Sequence, residues 1–178
     1  MKIGFVVNDI ATEKPRYTTT RLAMTAARLG HEASVMGLRD FAYEPDGSLS
    51  AVAAAGQVGK AYRSLERYLE DVQTASRQPV ALNDFDVLML RSDPAMEAAE
   101  SSWANTAGLA FGHLLADSGA LVVNDPRGLR DMNEKLTALE FPQCCPPTLV
   151  SREAAALKAF IAEHGEAVLK MLDGMGGR

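Results

Sequence analysis

The chain has 178 residues, 47% of them hydrophobic and 23% charged. That is enough apolar material for a folded core and too much for a disordered chain. The net charge is −5 and no run of Lys or Arg occurs, which excludes the basic stripe that nucleic-acid binding needs. No stretch approaches the ~20 apolar residues of a membrane span. Cys144 and Cys145 are adjacent, a spacing at which a disulfide is strained. His31, His113 and His164 are too scattered to complete a zinc site. A cytoplasmic protein is expected, with neither nucleic acid nor membrane as partner.

Residues 3–7 form a short apolar run that suits a strand buried on both faces. The run is too short for a signal peptide and meets Asn8 and Asp9 at once. Leu22, Ala23, Ala26 and Leu29 recur at helical spacing from Thr18 to Leu29, with Thr18 or Thr19 as cap and Gly30 as stop. Residues 32–36 read as a second strand, so the chain opens strand–helix–strand, the signature of a parallel sheet. Asp46-Gly47 is a turn, and 48–60 carries no clear pattern. Tyr62, Leu65, Leu69 and Val72 form a helical stripe. Residues 86–90 are a strand that stops in Arg91-Ser92-Asp93-Pro94. A long helix is expected from Glu97 to Ala116, and then a strand over 120–123 that ends in Asn124-Asp125-Pro126.

Beyond Pro126 short helical stretches surround Asn133-Glu134-Lys135. Residues 148–150 read as a strand. Ser151 is placed to cap a helix that runs to His164 and stops at Gly165. Residues 167–171 read as a last strand, leading into Asp173-Gly174-Met175-Gly176-Gly177-Arg178. The expected organisation is an α/β domain over residues 1–123 and the start of a second over 124–178.

Three groups of residues could carry chemistry. Lys170 precedes Gly174, Gly176 and Gly177, and glycines let backbone N–H groups approach an anion while the lysine adds a point charge. A plain flexible turn is the competing reading, since neither a Walker A loop nor a G-x-G-x-x-G pattern is present. Lys135 is a second candidate cation, or an ordinary surface lysine. Arg91 and Asp93 follow a buried strand at the sheet edge where ligands gather. Arg91 could hold a substrate carboxylate by two prongs, or pair with Asp93 at the surface to little effect.

Taken together and in order, these segments resemble prokaryotic glutathione synthetase, a member of the ATP-grasp superfamily. Met1-Lys2-Ile3-Gly4-Phe5-Val6 resembles the opening strand. Residues 88–94 resemble "LMRKDPP", and 122–126 resemble "IVNKP". Leu129-Arg130-Asp131-Met132-Asn133-Glu134-Lys135-Leu136 resembles "LRDCNEKL". Leu169-Lys170-Met171-Leu172-Asp173-Gly174-Met175-Gly176-Gly177 resembles "LKPLDGMGG". The resemblance implies a pre-ATP-grasp parallel-sheet domain followed by the start of an ATP-grasp subdomain. It implies a ligase that joins γ-glutamylcysteine and glycine through an acyl phosphate, with ATP and Mg²⁺ as cofactors and small molecules as substrates, in a homo-oligomer.

The resemblance further implies that Lys135 and Lys170 contact nucleotide, that Gly174, Gly176 and Gly177 close over the phosphates, and that Arg91 and Asp93 lie near the peptide substrate. Catalytic residues and the Mg²⁺ ligands are expected beyond residue 178, so the chain alone is expected to be inactive. Ser92 and Asp125 stand where the family has lysine, and Met171 where it has proline. A RimK-type or other amino-acid ligase, and a non-catalytic peptide-binding or dimerisation module, are therefore the alternative readings.

Overall fold

The computed structural model describes residues 1–93 and 104–172. They fall into two compact units, Met1–Arg130 and Asp131–Arg178.

The first unit is built on a parallel sheet. The apolar run near the N-terminus forms β1 (Lys2–Val7). It returns through α1 (Thr18–Arg28) to β2 (Glu32–Gly37), which lies parallel to β1. Gly30 makes the return possible at φ +86°, a conformation that costs a glycine nothing sterically. On the other side of β1 lie β6 (Val87–Leu90) and then β7 (Val122–Val123), both parallel. The helix before β7, α3, is described from Ala104 to Asp117, and the expected start at Glu97 lies outside the described residues. A short helix, α4 (Pro126–Asp131), follows β7.

The sheet is larger than a parallel βαβ core. β3 (Phe41–Tyr43), β4 (Leu49–Ala55) and β5 (Gln78–Ala81) extend it in antiparallel fashion. β4 pairs with β2 through its last residues and with both β3 and β5 through earlier ones. Its sequence is dominated by alanine, a weak strand former, so pairing with three neighbours and not local propensity makes it a strand.

Alternation along β1 feeds two cores. Phe5 and Val7 pack with Ala23, Ala26 and Ala27 of α1 and with Tyr68 and Val72 of α2 (Leu65–Thr74). Val6 packs on the opposite face with Met36, Leu88, Leu115 and Val122. Burying each such large side chain contributes about 1.5–3 kcal/mol. Gly4 permits the close approach of the second core: a Cβ there would lie 2.9 Å from Leu88 Cδ2.

Several local expectations are corrected. The buried stripe of α1 is Thr19, Thr20, Ala23, Ala26 and Ala27, whereas Leu22 and Leu29 face solvent. Small residues let the helix lie close on the sheet. Neither Thr18 nor Thr19 caps α1. The cap position is Tyr17, without a side-chain bond. Tyr62 precedes α2 rather than lying on it, and its hydroxyl accepts from the Gln57 N–H and donates to Asp71.

In the second unit, turns at Thr137–Glu140 and Pro142–Cys144 lead to α5 (Ala154–His164), stopped by Gly165 at φ +82°. Ser151 does not cap α5. It accepts from the Glu153 N–H, one turn ahead of the helix. Residues 148–150 and 167–171 are not strands. Val168, Leu169 and Met171 are 82%, 64% and 58% exposed, so among the described residues neither a pairing strand nor a packing surface rewards extension there.

Candidate functional site

In the first unit the carboxyl ends of β1 and β6 meet. Asn8, just past β1, donates from Nδ2 to the Asp93 carbonyl at 2.8 Å and accepts the Asp93 N–H at Oδ1 at 2.7 Å. This reciprocal clamp fixes the turn after β6, and it uses the backbone of Asp93, one of the residues expected near a substrate. Arg91 is anchored by its own N–H, which donates to the Val6 carbonyl at 2.8 Å. Its Nε lies 3.4 Å from Thr19 Oγ1 at the start of α1. Arg91 is exposed overall, and its guanidinium has the flat fork of donors that suits a planar anion such as a carboxylate.

The neighbouring loop is stapled from below. Gln73 of α2 donates from Nε2 to the Ile10 carbonyl at 3.0 Å, with the Ala11 and Glu13 carbonyls at 3.4 Å. Glu13 is half-buried, and one of its carboxylate oxygens is enclosed without a hydrogen-bond partner. Burial pushes its carboxyl above the ordinary value, and the Arg91 charge pulls it partway back. Asn8, Glu13, Thr19 and Gln73 are missed by sequence reasoning. Only Asn8 carries a readable signal, a polar residue closing a buried strand.

In the second unit the sequence Asn133-Glu134-Lys135 forms a tight bracket. Asn133 Oδ1 accepts the N–H groups of Lys135 at 3.0 Å and Leu136 at 3.2 Å. Its Nδ2 donates to the Leu172 carbonyl at 3.2 Å. The segment that carries Lys135 is thereby joined to the segment that carries Lys170. The Lys135 side chain is 18% exposed, with Nζ 3.7 Å from Glu134, whereas Lys170 is exposed. Gly174, Gly176 and Gly177 lie outside the described residues.

Cys144 and Cys145 are free thiols, and Cys145 Sγ lies 3.0 Å from the Ala138 carbonyl. Among the described residues no group of three or more His, Cys, Asp or Glu could hold a metal ion. No helix among them is long and apolar enough to cross a membrane.

Comparison with known proteins places this geometry. Residues 134–178 match the family model described as prokaryotic glutathione synthetase, ATP-grasp domain. Residues 1–130 match the model described as prokaryotic glutathione synthetase, N-terminal domain, which ends where the first compact unit ends. The class to which these two matches assign the chain is that of the ATP-grasp proteins.

A glutathione synthetase of Vibrio cholerae is 35% identical over 181 residues, covering 99% of this chain and 52% of the relative. One from Xanthomonas axonopodis pv. citri is 57% identical over 99 residues, 56% of this chain and 30% of the relative. The chain belongs to the prokaryotic glutathione synthetase family. It spans at most about half the length of these curated relatives. A solved structure described as the ATP-grasp ligase PsnB complexed with precursor peptide PsnA2 and AMPPNP covers 91% of this chain and 51% of its own. It shows 18% identity and a TM-score of 0.41.

Proposed function

We propose that this chain contributes the peptide-side edge and the leading part of the nucleotide site of an ATP-dependent carboxylate–amine ligase, with γ-glutamylcysteine and glycine as the pair joined. Family membership supports the reaction class. The observation that carries the site is the Asn133 bond to Leu172, which joins the segments bearing Lys135 and Lys170.

In the proposed reaction a substrate carboxylate oxygen attacks the γ-phosphorus of ATP. The bond from that phosphorus to the β–γ bridging oxygen breaks, giving an acyl phosphate and ADP. The amine nitrogen then attacks the acyl carbon, loses a proton, and expels inorganic phosphate as the C–N bond forms. Charge accumulates on phosphoryl oxygens, so fixed cations lower the barrier electrostatically. Lys135, partly enclosed, supplies a charge that water screens less than it does the exposed Lys170. Arg91 would orient the peptide substrate by a carboxylate.

The family implies magnesium, which would supply further positive charge at the phosphates. Among the described residues no group of three or more His, Cys, Asp or Glu would hold it, and the part assigned to this chain is the charge of its lysines.

Calorimetric titration with ATP and magnesium tests the reading. Wild-type protein is expected to bind, and Lys135→Ala and Lys170→Ala each to weaken binding about tenfold to a hundredfold, as loss of one charge-assisted contact of roughly 1.5–3 kcal/mol predicts. Unchanged affinity in both variants would refute the site.

A further inference from the structure

Lys135 and Lys170 each sit outside any helix or strand. Residues 166–171 belong to neither a helix nor a strand. Their apolar side chains are largely exposed, Val168 at 82%. A segment with neither a ladder nor a packing face samples many conformations, and a lysine carried on it would meet a phosphate only after that freedom is lost. Among the described residues, the Asn133 bond to the Leu172 carbonyl, across 39 positions of sequence, ties this segment back to the start of the unit.

Both ends of the Asn133 amide are committed. The oxygen faces two N–H donors, those of Lys135 and Leu136, and the nitrogen faces a carbonyl acceptor. Rotating the amide by half a turn would set an NH₂ group against N–H groups and an oxygen against a carbonyl, so one orientation alone satisfies all three contacts. A single side chain therefore sets the backbone that carries Lys135 and holds the backbone two residues past Lys170.

We propose that Asn133 is a positioning residue, whose amide holds the Lys135 and Lys170 segments in one register so that both cations serve the same polyphosphate. This rests on the nucleotide reading above and deepens it. Asn133 needs no contact with the nucleotide. Its effect is to order Lys170 before the ligand arrives, which removes an ordering cost from binding.

Asn133→Ser keeps a neutral oxygen able to accept in the local turn and lacks the amide that reaches Leu172. Asn133→Asp keeps both acceptors and loses the donor. Backbone ¹⁵N relaxation on the protein and calorimetry with ATP and magnesium are the two readouts. In both variants the backbone order parameters over residues 166–172 are expected to fall while those of α5 stay as in wild type, which a general loss of stability would not produce. In Asn133→Ser the affinity for ATP is expected to fall about fivefold to tenfold, the scale of one lost hydrogen bond.

Unchanged order parameters over 166–172 in both variants would overturn the proposal, as would an affinity within about twofold of wild type once they have fallen. An equal fall across α5 would also overturn it, since Asn133 would then be a general stabiliser. If wild-type protein binds no nucleotide, the site itself is misread and the positioning role falls with it. The relaxation measurement distinguishes that outcome, because it reports the Asn133 link without any ligand.

Discussion

Gly4→Ala sets a methyl group into a tightly packed part of the sheet core, and its cost can be worked from the neighbours. The new Cβ would lie 2.9 Å from Leu88 Cδ2, 3.2 Å from Met36 Cε and 3.4 Å from Phe85 Cδ1. Leu88 and Met36 are fully buried, so neither side chain can swing into solvent, and overpacking of this kind costs about 1–3 kcal/mol. Leu88→Ala alone removes the crowding atom and leaves a cavity, at about 2–5 kcal/mol. If the sites were independent, the double variant would lose the sum of the two. The geometry predicts less, because the Gly4→Ala methyl enters space that Leu88 vacates. A coupling of about 1 kcal/mol or more in favour of the double variant is expected. Urea unfolding of the four proteins, followed by circular dichroism, measures it. Additivity to within about 0.5 kcal/mol would refute the packing described for this core.

Asn8→Ala removes both hydrogen bonds of the clamp on Asp93 and is expected to cost about 1–3 kcal/mol of stability. Native-state hydrogen exchange should show the Asp93 amide freed, and a protected Asp93 amide in that variant would contradict the clamp. Glu13 gives a pH dependence. Its carboxyl titrates above the ordinary 4.5 when folded, so the folded chain holds that proton to higher pH than the unfolded chain does. Stability contributed by Glu13 is therefore greatest at low pH and is lost as pH rises from the ordinary value through the raised one. Glu13→Gln should flatten that part of a melting-temperature profile taken from about pH 4 to about pH 8 and raise stability at its neutral end. An unaltered profile would sink the assignment.

The elements legible in the sequence are those whose own residues state them. After Lys2, β1 and β6 are runs of Val, Leu, Ile, Met and Phe with a single glycine, and α1 carries a helical repeat closed by glycine. β4 was not legible, since its alanines favour no strand and its partners lie up to about 30 residues away in the ladder with β5. Residues 148–150 and 167–171 show the reverse failure: a β-rich composition promises a strand, but strands form only where another edge receives them.

The site divides in the same way. Arg91, Lys135 and Lys170 announce themselves by charge and by a family-like setting. The groups that frame them, Asn8, Thr19, Gln73 and Asn133, act through contacts 39 to 85 positions apart in sequence, which no local pattern encodes. Burial of Glu13 is likewise a product of tertiary packing and not of its neighbours in the chain.

The central claim is that Lys135 and Lys170 read the phosphates of one nucleotide. Affinities for AMP, ADP and ATP, measured with magnesium on wild-type protein and on the Lys135→Ala/Lys170→Ala double variant, test it directly. Wild-type affinity is expected to climb with each added phosphate, by about a hundredfold or more over the series, and the double variant to bind all three alike. A climb of equal steepness in the double variant would contradict the account.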